Sequence, residues 1–322
     1  MVSAELKFQF RKAWDLIGAA DNILLTTHEG TDGDDLGSLL AVYQVLAKAN
    51  KRLTICVKEG VPHNLLFLPE NELVNDLYRP GDYDLLITFG CGKLSRPGFP
   101  EVAEYSGKIL NFDHHPDNSL FGTVNLVEPK TAAVAELVYY FLKSSDQVAI
   151  DKNIATCLLT GIFTDTGGFK HSNTTSEVLE AAAELMKKGA RIDRISSFTI
   201  GQKRPQTIRA WSKALENTRF DKDKRMVFSV LTEEDLKDIG ATDEDLSGFV
   251  ELINNIPYAK FALLLRQDGE LVRGSLRSEP HKRTDVSRIA HSFGGGGHKY
   301  ASGFRLKGRL VKDKDSWKIE EA

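Results

Sequence analysis

The feature that most constrains this chain is an alternation, through its first half, between short apolar runs and longer stretches with helical spacing. Ile23-Leu24-Leu25-Thr26-Thr27 is the first such run, and residues 53–57, 84–89 and 108–112 repeat the pattern. Around them, residues 4–19, 35–49, 132–143 and 153–164 carry apolar side chains three and four apart. Leu36, Leu39, Leu40, Tyr43 and Leu46 form one such face. Thr174 followed by Glu177 reads as a capping box opening a further helix that ends near residues 188–189. Strands that alternate with helices pack as a covered parallel sheet, so the expected class is α/β with helices on both faces.

A chain of 322 residues has room for a second core. After a basic stretch at 191–219 that carries Pro205, a second alternation starts at Met226-Val227-Phe228-Ser229-Val230. It continues with a helix at 243–254, strands at 259–266 and 271–278, and a short helix at 285–292. The expected division is a sheet domain over 1–190, a linker with a connecting helix over 191–220, and a smaller α+β domain over 221–322. The charged tail beyond Leu310 is expected to fray. A net charge of −3 argues against a protein that coats long duplexes, while leaving room for a pocket that takes a short anion. Cys56, Cys91 and Cys157 are scattered without a CxxC pair; Cys56 and Cys157 sit in apolar segments as buried thiols, and a reducing, cytoplasmic compartment fits. The first residues lack the apolar run of a signal peptide, and no stretch reaches the ~20 apolar residues of a membrane span.

Ligands of parallel α/β sheets gather at the carboxyl ends of the strands. Three expected strands end in polar or glycine-bearing turns: His28-Glu29-Gly30-Thr31-Asp32-Gly33-Asp34-Asp35, Gly90-Cys91-Gly92-Lys93 and Asp113-His114-His115-Pro116-Asp117. On a parallel sheet these turns share one rim. His28, Asp32 and Asp34 bring one imidazole and two carboxylates, a set that suits manganese, magnesium or zinc at a hydrolytic centre. The plainer alternative has Asp34 or Asp35 capping the helix while Asp32 solvates the turn. No turn requires His114-His115 behind Asp113, and Pro116 holds His115 extended. Asp165 stands at the end of a helix, where the dipole disfavours a carboxylate, and that placement points to a nearby cation. In the second half, Gly294-Gly295-Gly296-Gly297-His298 would turn backbone N–H groups toward an anion, with a flexible linker as the alternative. Arg277 is a candidate phosphate contact.

The ordered set His28-x-x-x-Asp32-x-Asp34, Asp113-His114-His115, Asp165 and the glycine segment with His298 spans nearly the whole chain. It resembles the DHH phosphoesterase superfamily with its DHH-associated C-terminal domain. Within that superfamily it is similar to the bacterial oligoribonucleases that also act on adenosine 3′,5′-bisphosphate. The resemblance implies a two-manganese site, with magnesium as a further candidate. His28 and Asp32 would hold one ion, and Asp34, His114 and Asp165 the other. Asp113 would orient a ligand, and His115 would face the substrate phosphate. Arg277, Gly295, Gly296, Gly297 and His298 would hold the rest of a short oligonucleotide or nucleotide. For a chain of this size the resemblance also implies a homodimer.

One motif departs from that family. The strand Leu85-Leu86-Ile87-Thr88-Phe89 should end in an aspartate that bridges both ions, and Gly90 stands there instead. Lys93 stands where a further acid is common. The change removes a ligand from both ions, and Lys93 adds a charge of the wrong sign. Cys91 would point away from the direction taken by residue 90. Two classes of function follow: a metal-dependent phosphoesterase, and a catalytically impaired nucleotide-binding protein in which Lys93 meets phosphate. A manganese-dependent inorganic pyrophosphatase is a third alternative.

Overall fold

Side chains that alternate between two faces are what make the apolar runs of the first half a sheet. Ile23, Leu25, Leu85, Ile87 and Phe89 enter one core, while Leu24, Leu86 and Ile109 enter another on the opposite face. The computed structural model describes residues 3–201, 204–313 and 316–320, which form two compact units that part at residues 202–203. In the first unit β1 (Asn22–Thr27), β2 (Arg52–Cys56), β3 (Val74–Asn75), β4 (Leu85–Phe89), β5 (Lys108–Asp113) and β6 (Val124–Val127) are all parallel. Their order is β3-β2-β1-β4-β5-β6. The sequence reading missed β3 and β6, which are short edge strands without an apolar run of their own.

Helices cover both faces of this sheet, unequally. α1 (Ala4–Gly18) and α2 (Gly33–Ala47) contribute to the larger core, and the short α3 (Pro100–Ala103) lies on the other face. α4 (Val134–Lys143), α5 (Lys152–Asp165), α6 (Ser176–Lys187) and α7 (Ile192–Ser196) add to the larger core. On the lighter face, Val102 and Phe99 pack with Tyr78, Tyr83, Tyr105 and Phe121. The cap of α6 is Thr175, one residue later than expected, and its side chain accepts from Val178 N. Thr174 is taken up by the preceding turn, where its N–H donates to His171 O.

Two glycines bring α2 and α5 together. A side-chain carbon at Gly37 would lie 2.4 Å from Cys157 O, and one at Gly161 would lie 2.5 Å from Ala135 Cβ and 2.9 Å from Asp34 Oδ1. Gly37→Ala should therefore push the helices apart and lower stability by about 1–3 kcal/mol, read from the midpoint of urea unfolding at unchanged slope.

The second unit holds β7 (Arg219–Asp221), β8 (Met226–Leu231), β9 (Phe261–Asp268), β10 (Leu271–Arg277), β11 (Gly296–His298) and β12 (Ala301–Lys307) in the order β11-β12-β10-β9-β8-β7. β8 and β9 are parallel, and the other pairs are antiparallel. α8 (Pro205–Glu216), α9 (Glu233–Ile239), α10 (Phe249–Asn254) and α11 (Val286–Ser292) accompany the sheet. Of the stretch expected as a linker, α7 places Ile195 in the first core and α8 places Ala210 and Ala214 in the second. The single helix expected at 243–254 is broken by Gly248 (φ +84°), between a turn at Asp243–Leu246 and α10. The reading missed α9, which opens with a reciprocal cap between Thr232 and Asp235. The described part of the tail does not fray after Leu310: β13 (Arg309–Asp313) and β14 (Ser316–Glu320) pair antiparallel, and residues 314–315 and 321–322 lie outside the described residues. Its lysines and acids mask the two-residue period along which Leu310 meets Ile319.

Asp245 ties α8 to this unit. The buried carboxylate accepts from Arg204 Nε and Nη2 (3.2 and 2.9 Å), Thr207 Oγ1 and Thr242 N (2.9 Å). Burial alone would raise its pKa; the Thr207, Thr242 and Arg204 bonds outweigh it and hold the carboxyl below the ordinary value. Asp245→Ala should cost about 2–4 kcal/mol near neutral pH. Because the folded-state pKa is depressed, that contribution is complete above the ordinary carboxylate value, about 4, and is lost as pH falls through the lower one. The difference between wild type and Asp245→Ala in urea titrations should shrink over that acid range.

Candidate active site

The register of the first sheet places three turns side by side. Thr27 lies opposite Phe89, and Phe89 opposite Phe112, so β1, β4 and β5 end at one level. β1 and β4 are also where the strand order reverses, the crevice in which open α/β sheets bind their ligands.

The β1 turn leads into α2, and Asp32 caps that helix: its Oδ1 accepts from Asp34 N (2.9 Å) and Asp35 N (3.2 Å). The plainer alternative is thus corrected, since neither Asp34 nor Asp35 is the cap. The first turn of α2 holds those two acids, each 3 % exposed. Asp34 reaches the start of α4, where Oδ2 accepts from Val134 N (2.7 Å) and Oδ1 from Ala135 N (2.8 Å). Burial, then the charges of Asp35 and Asp165, push its carboxyl well above the ordinary value. Asp35 Oδ2 lies 2.7 Å from His28 Nε2, while Oδ1 is buried with no hydrogen-bond partner. His28 Nδ1 is 2.9 Å from Glu29 O. Burial would lower the pKa of His28, but the charge and hydrogen bond of Asp35 raise it to about 9.

The β5 turn is built on Asp113, fully buried at the strand end. Its Oδ1 accepts from His114 N (2.7 Å), His115 N (3.1 Å) and His115 Nδ1 (2.7 Å), and its Oδ2 accepts from Asn118 Nδ2 (2.5 Å). Asn118 also donates to Cys91 O (3.1 Å), joining this turn to the one after β4; the sequence reading did not single it out. Burial acts against the charge of His115, yet the Asp113 bond raises its pKa to about 9. His114 Nδ1 is 3.2 Å from Thr131 O, and its Nε2 is 3.9 Å from Asp165 Oδ2, at the end of α5.

Among the described residues of the first unit taken by itself, two groups of ligand-type atoms result: His28, Asp32 and Asp35, and Asp34, His114 and Asp165. Within each group the atoms lie within 4.8 Å of one another. In both histidines Nδ1 meets a backbone carbonyl and Nε2 faces a carboxylate, the anchoring that metal-binding imidazoles use. The donor set and the unpartnered buried oxygen of Asp35 fit a hard divalent cation. Cys91 adds nothing to either group: it is buried, donates to Phe89 O (3.3 Å), and burial together with Asp35 and Asp113 pushes its thiol up. Lys93 is exposed.

The other expected residues lie in the second unit. Arg277 ends β10, where its Nε donates to Glu251 Oε1 (2.6 Å). The glycine segment is in part a strand, since Gly296, Gly297 and His298 form β11 against β12. A side-chain carbon at Gly295 would meet Gly303 O at 2.1 Å, and one at Gly297 would meet Ala301 O at 2.7 Å. Close packing on β12 therefore accounts for these two glycines, and the flexible-linker alternative is corrected.

The DHH family, N-terminal domain, matches residues 22–162, and the DHHA1 domain matches residues 223–317. A Thermus thermophilus protein named bifunctional oligoribonuclease and PAP phosphatase NrnA is 35% identical over 292 residues, covering 89% of this chain and 84% of that protein. The chain belongs to the DHH family. A Streptococcus mutans protein named as a probable bifunctional oligoribonuclease and PAP phosphatase is 27% identical over 89% of this chain and 90% of its own length. Among solved structures, an exopolyphosphatase-related protein from Bacteroides fragilis superposes with a TM-score of 0.84 at 26% identity, over 94% of this chain and 92% of that one. This DHH chain is an enzyme of the phosphoester hydrolase class. No helix among its described residues is long and apolar enough to cross a membrane.

Asp113→Ala would remove the oxygens that accept from His114 N, His115 N and His115 Nδ1, and one of the two that accept from Asn118 Nδ2. It should cost about 2–4 kcal/mol and speed amide exchange at His114 and His115, measured by hydrogen–deuterium exchange.

Proposed function

We propose that this enzyme hydrolyses phosphoesters of short oligoribonucleotides and removes a phosphate from adenosine 3′,5′-bisphosphate, using divalent cations held at the rim of the first sheet. The observation that carries the reading is the pair of adjacent carboxylate–imidazole groups, each with its histidine anchored through Nδ1. The substrates follow the printed names of relatives that match most of the chain. His28 and Asp32 are assigned to one ion, and Asp34, His114 and Asp165 to the other. Carboxylate with imidazole suits manganese, magnesium or zinc; the resemblance to the DHH superfamily favours manganese, with magnesium as a further candidate. A divalent cation there supplies Lewis acidity and makes a nearby water easier to deprotonate.

The remaining work falls to the chain. The first turn of α2 and the end of α5 fix the carboxylates that position the cations, and Asp113 fixes the His114-His115 turn. His115, anchored by Asp113, is assigned to the substrate phosphate. Water oxygen forms the new bond to phosphorus and gives up one proton, the ester P–O bond breaks, and the departing nucleoside oxygen takes up one proton and leaves as a hydroxyl. Arg277, Gly295, Gly296, Gly297 and His298 are assigned to nucleotide contacts of the second unit. The three buried free cysteines agree with a cytoplasmic site of action.

The test is release of mononucleotide from a diribonucleotide, and of phosphate from adenosine 3′,5′-bisphosphate, with manganese, with magnesium and with chelator. Activity should require the metal. His114→Ala should lower kcat/KM by at least about a hundredfold, more than removal of a merely supporting residue. A wild type inert toward both nucleotides but active on pyrophosphate would replace this reading with the pyrophosphatase one. A wild type that binds nucleotide and hydrolyses nothing would replace it with the impaired-binder reading.

A further inference from the structure

We propose that Asp35 supplies the carboxylate shared by the two ion-binding groups, from the volume that a strand-end aspartate would fill and that Gly90 leaves open. A side-chain carbon at Gly90 would lie 2.0 Å from Asp35 Oδ1 and 2.2 Å from both Cγ and Oδ2. The whole carboxyl group of Asp35 thus occupies the space into which a residue-90 side chain would project. Gly90 itself is held at the end of β4, its N–H donating to Phe112 O (2.9 Å), so its position is set by the sheet.

Three further observations point the same way. Asp35 groups with His28 and Asp32, while its chain neighbour Asp34 groups with His114 and Asp165, so the first turn of α2 contributes one acid to each set. Its Oδ2 meets His28 Nε2 at 2.7 Å. Its Oδ1 is buried and has no hydrogen-bond partner, in a residue only 3 % exposed. A buried carboxylate oxygen without a donor is rare and needs a cause, and a cation is the ligand that suits it. On this assignment Asp35 brings to the site the negative charge that an aspartate at residue 90 would bring.

This assignment rests on the metal-dependent hydrolysis proposed above, so the experiment reads metal and turnover separately. Wild type, Asp35→Asn, Asp35→Ala, Gly90→Asp and the double variant Asp35→Ala/Gly90→Asp would be titrated with manganese by calorimetry. Low-temperature electron paramagnetic resonance would read the magnetic coupling between two ions that share a ligand, and diribonucleotide hydrolysis would be followed alongside. Asp35→Asn, which preserves shape, should fold, lose the coupled signal and bind at least one ion more weakly by over about 100-fold, beyond what loss of a supporting residue costs. Gly90→Asp alone should not tighten binding, because the new side chain meets Asp35 and because the backbone at residue 90 is left-handed (φ +63°), a conformation that aspartate adopts only at some cost. The double variant should regain two coupled ions and turnover within about tenfold of wild type. Unchanged stoichiometry, affinity and coupling in Asp35→Asn would overturn the assignment, as would a folded double variant that stays uncoupled. If wild type binds two coupled ions yet hydrolyses neither nucleotide, the substrate reading fails while the metal data still decide Asp35.

Discussion

Repulsion among carboxylates crowded onto one rim is the constraint around which the first unit is arranged. Asp32, Asp34, Asp35, Asp113 and Asp165 all lie on strand ends or on helices that meet them, three of them almost fully buried. Like charges this close in a poorly solvated pocket repel strongly. The fold answers them one by one with oriented donors. The N–H groups that open α2 take Asp32, those that open α4 take Asp34, and the whole β5 turn wraps Asp113. Helix N-termini supply partial positive charge where it is needed. What they leave unanswered, above all at Asp35, is the share assigned to cations.

Much of this site was legible in the sequence because a parallel sheet turns a one-dimensional fact into a three-dimensional one. A polar turn after an apolar strand must lie on the carboxyl rim, so His28, Asp34 and His114 are expected near one another without knowledge of a single distance, while Asp165 draws notice only because a helix end disfavours a carboxylate. Asp35 escaped for the complementary reason. It belongs to a helix, and which strand end its side chain meets depends on how α2 crosses β4, which linear spacing does not encode. Gly90 read as a gap for the same reason: a sequence records a missing side chain, while the neighbour that fills its volume sits 55 positions earlier.

The second unit shows where local signals mislead. The consecutive glycines look like slack chain, yet Gly295 and Gly297 lack side chains because β12 passes too near to allow any. The basic stretch before it looked like a linker because lysine and arginine dominate its surface, while Ala210 and Ala214 on the buried face of α8 are too small to give a strong apolar pattern. At the tail, charge on both strands hid their pairing. Close backbone approach at the glycines, small side chains on a buried helix face, and strand pairing at the tail decided these three cases, and none of them has a strong signature in residue type.

The two glycines between α2 and α5 have a wider consequence. Asp34 and Asp165 ride on helices that touch almost main chain to main chain, and Gly161 lies directly against the Asp34 carboxylate. The span between these acids is therefore set like the jaws of a calliper, by polypeptide backbone rather than by exchangeable side chains. Surface loops can diverge freely around such a fixed gauge. A lineage can change which molecules it admits while leaving the spacing of these two acids untouched, and only a heavier residue at the helix contact would reset it.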